Sequence, residues 1–189
     1  RKVNLRIQCT EEQYHDMIVN DISYLKKLHE ESPNIQSKRN WINKGLKRKK
    51  WLAEIKTKHV LKLLKIIKEK RVLVFCESIK QADIINRELS VHSLKENPLE
   101  LVKRFNDGDI RMLTAVGMLD MGVDIKELDY AVIVQLGGSD VASSQKMARG
   151  LLSKSPRVVV FYYPGTQDEI YLNRFLENFK KEWITYKKL

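Results

Sequence analysis

The chain has 189 residues, 43% hydrophobic and 31% charged, enough for one good core and an appended helical piece. No apolar run approaches 18 residues, which excludes a membrane-spanning helix, and Arg1-Lys2-Val3-Asn4-Leu5-Arg6 lacks the apolar core of a signal peptide. The net charge of +11 is local: residues 1–71 hold 19 Lys/Arg against 8 Asp/Glu, whereas residues 72–189 hold 16 of each, so the excess suits a local electrostatic task such as meeting phosphates.

Only two cysteines occur, Cys9 and Cys76, far apart, and a reducing, cytoplasmic setting fits them. Cys76 lies in an apolar, strand-like run and reads as a small buried side chain. The absence of a starting Met suggests a piece of a longer polypeptide.

Residues 1–8 alternate loosely, with Val3, Leu5 and Ile7 on one side, and predict a short strand. Thr10 followed by Gln13 fits a capping box. Tyr14, Met17, Ile18, Ile22, Leu25 and Leu28 then recur at helical spacing until Ser32-Pro33-Asn34 ends the run. In the next stretch, seven of the thirteen residues from Lys38 to Lys50 are basic and none is acidic, and Trp41 and Trp51 bracket the cluster. Lysines that meet a phosphate backbone beside aromatic faces that stack on bases suit single-stranded nucleic acid. Tryptophans that anchor a helix while lysines face water fit the same pattern. Lys47, Arg48, Lys49 and Lys50 are the candidate phosphate contacts.

A separate helix is predicted from Thr57 to Lys70, its lysines at 58, 62, 65 and 68 marking the wet side. Val72-Leu73-Val74-Phe75-Cys76 then reads as a strand buried on both faces. This change of texture divides the chain into a basic helical extension, residues 1–71, and an α/β domain, residues 72–189. The α/β part alternates as a parallel sheet requires. A helix at 79–89 leads to a short segment at 90–93, and Pro98 opens a helix ending at Phe105. Asn106-Asp107-Gly108-Asp109 is a turn, and strands follow at 111–116, 130–135 and 157–163. Thr166 caps a last helix with Ile170, Leu172, Phe175, Leu176 and Phe179 inward.

Several chemistries are absent. There is no Gly-x-x-x-x-Gly-Lys-Ser/Thr loop and no Gly-rich turn after the first core strand, where Glu77-Ser78-Ile79-Lys80 stands. Four scattered histidines and two distant cysteines give no metal-ligand spacing, and a serine nucleophile elbow is missing.

Four segments in order resemble the C-terminal RecA-like lobe of superfamily 2 (DEAD/DEAH-like) helicases. Residues 72–78 resemble motif IV, and Val91-His92-Ser93 with the helix ending in Phe105 resembles the feature that follows it. Gly122-Val123-Asp124-Ile125 lies in a stretch like motif V, and Gln145-Lys146-Met147-Ala148-Arg149 opens one like motif VI. The resemblance implies a RecA-like parallel sheet flanked by helices, acting as the second motor lobe of an ATP-dependent DNA or RNA helicase or translocase. It further implies that Gly122, Asp124, Gln145 and Arg149 face ATP, with Arg149 as the arginine finger, and that His92 and Ser93 contact the sugar–phosphate backbone. ATP and Mg²⁺ would be held mainly by an N-terminal lobe that these residues do not include, so this chain alone is expected to be inactive.

Three positions depart from the pattern. Leu152 stands where motif VI carries a second Arg, Ala148 where a Gly precedes the first, and Val116 where motif V often has a Thr. They open the alternative of a degenerate helicase-like module that binds nucleic acid without hydrolysis, unless Lys146 or Lys154 supplies the missing charge. A cofactor-binding α/β enzyme of another family fits poorly without a Gly-rich turn. Asp168-Glu169-Ile170-Tyr171-Leu172, together with the basic helical insert, is similar to phage-type helicases of bacteria.

Overall fold

The computed structural model describes residues 2–6, 13–14, 21–117, 125, 127–137, 157–177 and 179–188. Strand β1 (Lys2–Arg6) precedes helices α1 (Tyr24–Glu31) and α2 (Ile35–Ile66). The alternating core follows as β2 (Val72–Phe75), α3 (Ile79–Asn86), β3 (Ser90–Val91), α4 (Pro98–Asp107), β4 (Met112–Ala115), β5 (Tyr130–Ile133), β6 (Arg157–Tyr162) and α5 (Gln167–Leu176). A 3-10 turn, Lys181–Trp183, leads into β7 (Ile184–Lys188). The seven strands form one sheet in the order β3-β4-β2-β5-β6-β1-β7, and every neighbouring pair is parallel.

The continuous apolar runs become strands buried on both faces, with side chains going alternately to two cores. Leu73, Leu113, Ala131, Ile133, Val158 and Val160 enter one, closed by Val102 and Phe105 of α4 and Leu172, Phe175 and Leu176 of α5. Val72, Val74, Val132, Val159 and Phe161 enter the other, closed by Leu52 and Val60 of α2, the following Ile67, and Ile85 of α3. Gly108, at φ +89°, closes α4 in the left-handed conformation that suits glycine.

Two elements differ from the sequence-based expectation. The basic stretch and the helix expected from Thr57 are one continuous 32-residue helix, α2, about 48 Å long. Asn34 caps it, accepting from Ser37 N at 2.7 Å while Ser37 Oγ accepts from Asn34 N at 3.3 Å. No proline or polar cap interrupts the apolar stripe between Trp51 and Thr57, so nothing stops propagation there, and Gly45 is carried within the helix. The second difference is β7, at Ile184–Lys188, where no element is predicted. Its Ile184 packs against the first core and Tyr186 meets Tyr162 edge-on, ring centroids 6.4 Å apart.

Residues 1–71 thus contribute β1, flanked by β6 and β7, and much of one face of the second core. Leu52→Ala removes a side chain only 1% exposed from the contact of α2 with the sheet. It is expected to cost about 2–5 kcal/mol, measured by urea unfolding with α2 and the sheet lost in a single transition.

Candidate functional site

Because every strand runs the same way, the C-terminal ends of β2, β3, β4, β5 and β6 lie at one carboxyl edge, where parallel α/β sheets bind ligands. Helix α2 runs antiparallel to the strands and crosses this edge. Lys49 Nζ lies 2.9 Å from Glu77 Oε2, just past β2. About two turns further along the same face of α2, Lys56 Nζ lies 2.6 Å from Asp168 Oδ2 and 2.7 Å from Gln135 Oε1. Lys56 is fully buried, and Asp168 is 2% exposed.

The polar atoms of this buried group answer one another. Gln135 Nε2 donates to Asp168 Oδ1 at 2.6 Å and to Leu136 O at 2.8 Å. Asp168 Oδ2 also accepts from Tyr163 N at 3.2 Å, and the Lys56 ammonium sits 5.7 Å from the centre of the Tyr163 ring. Thr166 caps α5 by accepting from Asp168 N at 3.2 Å, which fixes the carboxylate in the first turn. Beside it, Gln81 Nε2 donates to Ala53 O at 2.6 Å and Thr57 Oγ1 at 3.0 Å, while its Oε1 accepts from Glu77 N at 3.0 Å. Ser78, in the loop after β2, caps α3 through Gln81 N. Helix α2 is therefore tied to the loops after β2, β5 and β6 by desolvated polar contacts.

With Lys49 at the edge, residues 35–48 project beyond it, about 20 Å of helix. Helix α1 braces this overhang. His29 Nδ1 and Ser37 Oγ are 2.8 Å apart, the His29 and Trp41 rings stack at 6.1 Å, and Lys44 Nζ meets Asp21 Oδ2 at 2.6 Å. Trp51 packs against the second core.

The four basic candidates separate. Lys47 and Lys50 are exposed, Lys49 is half-buried in its pair with Glu77, and Arg48 is buried, with its Nε lacking a hydrogen-bond partner. Arg48 and Lys49 are thus turned toward the protein, as their phase on α2 requires. Ser93 is exposed, but His92 is only 7% exposed. Its Nδ1 accepts from Leu94 N at 3.2 Å, and Nε2 faces Asp83 Oδ1 at 3.8 Å. Gly117, at φ +65°, turns the chain away from β4. Gly122, Asp124, Gln145 and Arg149 lie outside the described residues. So do Ala148 and Leu152.

Sequence reasoning missed the buried group. Its signal was a lysine in phase with Leu52 and Val60 on the apolar stripe of α2, a glutamine at the end of a buried strand run, and an aspartate just after a Thr cap. Burial also pushes the Cys76 thiol up to about 12, so it is no thiolate nucleophile at neutral pH. Among the described residues, no three His, Cys, Asp or Glu side chains converge to hold a metal, and no helix is long and apolar enough to cross a membrane.

The arrangement defines a RecA-like lobe with its strand ends at one carboxyl edge. The chain belongs to the helicase conserved C-terminal domain family, whose description matches residues 55–151, about half of its length. It is 25% identical over 121 residues to the ATP-dependent DNA helicase mph1 of Sclerotinia sclerotiorum, a match covering 53% of this chain and 10% of that protein. The chain therefore spans about a tenth of that relative. The fold is also that of E. coli DEAD-box protein SrmB, with TM-score 0.56 and 13% identity, over 100% of this chain and 89% of that one. A DEAD box protein of Methanococcus jannaschii aligns with TM-score 0.52 and 20% identity, over 71% and 38% of the two chains. A variant of S. cerevisiae Dbp5 bound to RNA and ADP BeF3 aligns with TM-score 0.55 and 16% identity, over 72% and 39%.

Lys56→Met would strand a buried carboxylate without its counter-charge, and a loss of about 3–5 kcal/mol is expected in chemical denaturation. Lys56→Met combined with Asp168→Leu removes both charges, and most of that stability is expected to return. For Cys76, iodoacetamide at pH 8 is expected to label the unfolded chain and to spare the folded one.

Proposed function

We propose that this chain is the second motor lobe of an ATP-dependent nucleic-acid helicase or translocase, contributing one wall of an ATP site completed by a first lobe. The observation that carries this reading is the family match, which runs unbroken through residues 55–151 and so includes Gly122, Asp124, Gln145 and Arg149. In this assignment Gly122 lets the backbone approach the nucleotide and Asp124 accepts from the ribose or orients an arginine. Arg149 is the finger that stabilises charge developing on the phosphates. Gln145, four residues earlier in the sequence, positions it in this assignment. Bound ATP supplies the free energy of its hydrolysis, and Mg²⁺ and most of the nucleotide contacts fall to the first lobe.

Nucleic acid, DNA or RNA, runs across the carboxyl-edge loops with Ser93 on its backbone, and Lys47 and Lys50 of the basic insert reach its phosphates. His92 acts from behind, holding the turn that presents Ser93. Mph1 is a DNA helicase and the Dbp5 structure holds RNA. Residues 1–71 are the basic extension, which through β1 and the inner face of α2 completes the sheet and second core of the RecA-like domain of residues 72–189, and the setting is a reducing cytoplasm. One observation favours a second reading, a helicase-like clamp without hydrolysis: Leu152 replaces the second motif VI arginine.

In a polypeptide carrying both lobes, nucleic-acid-stimulated ATP turnover is expected, and Arg149→Ala is expected to lower it about a thousandfold or more while nucleic-acid binding persists. Binding without turnover in the unaltered protein would instead establish the clamp. The present chain alone is expected to hydrolyse no ATP in the same assay.

A further inference from the structure

The outward face of α2 carries a row of charge that starts at Lys47 and Lys50 and continues well past the carboxyl edge. Positions 47, 50, 54, 58, 62 and 65 follow at steps of three or four residues, which places them on one face of the helix. They are Lys47, Lys50, Glu54, Lys58, Lys62 and Lys65, all exposed. Among the described residues none of the five lysines has an acidic partner, whereas Glu54 is answered by Lys80 of α3 at 3.8 Å. The opposite face of the same helix is fixed to the sheet through Leu52, Lys56 and Val60. The row is therefore mounted on one continuous helix and spans about 27 Å from Lys47 to Lys65.

The lysines form two groups, Lys47 with Lys50 and Lys58 with Lys62 and Lys65, and their centres are roughly 20 Å apart at 1.5 Å per residue. Glu54 lies between them. A single strand laid along the helix would bring a phosphate against that carboxylate. A duplex laid across it would not. Its two phosphate walls flank a groove about 12 Å wide, which long lysine stems can straddle from both sides, leaving Glu54 over open groove. The field of the second group is already felt within the protein: His59 has its pKa held below the ordinary value by burial, and further by Lys58 and Lys62.

We propose that the outer face of α2 is a docking surface for the sugar–phosphate backbone of double-stranded nucleic acid, with Lys47/Lys50 on one strand and Lys58/Lys62/Lys65 on the other. This deepens the helicase reading and rests on it. The loops at the carboxyl edge take the strand being tracked, and α2 holds the duplex arm beside it. Recognition is by phosphate charge alone and carries no base preference.

The test is fluorescence anisotropy of this chain with a labelled 30-base-pair duplex and with a single strand of equal length, across a salt series. The variants are Lys58→Ala/Lys62→Ala/Lys65→Ala and the matching triple Arg substitution, each checked by thermal melting. The alanine variant is expected to melt as the parent does, to bind duplex roughly tenfold or more weakly at low salt, and to lose about 2–3 from the slope of log K on log salt. Its single-strand binding is expected to be unchanged, and the arginine variant to bind duplex as the parent does. Unchanged duplex affinity and slope would overturn the inference while leaving the helicase reading in place. Equal losses for duplex and single strand would also overturn it, by putting the tracked strand along Lys58, Lys62 and Lys65. Binding of neither nucleic acid by the parent chain would overturn this inference together with the nucleic-acid path on which it rests.

Discussion

A lysine with no access to water governs how this lobe is put together. An ammonium taken out of solvent is tolerated only where charge and hydrogen bonds replace its hydration. Lys56 finds both in Asp168 and Gln135 at under 2.8 Å. Its partners come from far apart in sequence, one just past β5 and one in the first turn of α5. The pair therefore specifies where α2 sits along the sheet. A slide of α2 by one turn would leave an uncompensated charge, whereas apolar packing alone would tolerate several registers. The overhang of residues 35–48, and the phase of every lysine on the helix, follow from this single fixed point.

Helix α2 divides its cations by phase. Lys56 is structural, Lys49 joins the helix to the loop after β2, and Lys47, Lys50, Lys58, Lys62 and Lys65 face solvent. Composition records all of them as the same positive excess. Burial separates them into roles with opposite consequences for substitution: an inward lysine removed leaves a stranded anion, and an outward one removed leaves the fold intact.

What was legible in the sequence was what depends on local pattern. The buried strand runs at 72–76, 111–116, 130–135 and 157–163, the proline-opened α4 and the Thr166 cap stand as expected, because apolar continuity and caps are local signals. The unbroken course of α2 was harder to see, because the change from a lysine-rich stretch to a more apolar one near Thr57 looks like a boundary, and the packing of Leu52, Ala53 and Lys56 that carries the helix across it is tertiary. Strand β7 was illegible for a related reason: its run is short and ends in Lys187 and Lys188, and only pairing with β1 makes it a strand. Of the site, the carboxyl edge of the parallel sheet was legible. The Lys56–Gln135–Asp168 group was not, since its members touch only after the sheet has formed.

The position of β1 bears on the order in which the lobe can be assembled. Val3 is registered with Val159 on one side and Thr185 on the other. The patch β3-β4-β2-β5 arises from one continuous stretch, residues 72–133, and can pair as it leaves the ribosome. Within this sheet the earliest strand, β1, must instead wait until β6 and β7 are available, and closing a separation of that length is slow and entropically costly. During that interval β6 offers an open row of backbone donors and acceptors, the kind of edge that recruits other chains. The lobe is thus most exposed to misassembly late in its own synthesis, at the place of the sheet's earliest strand.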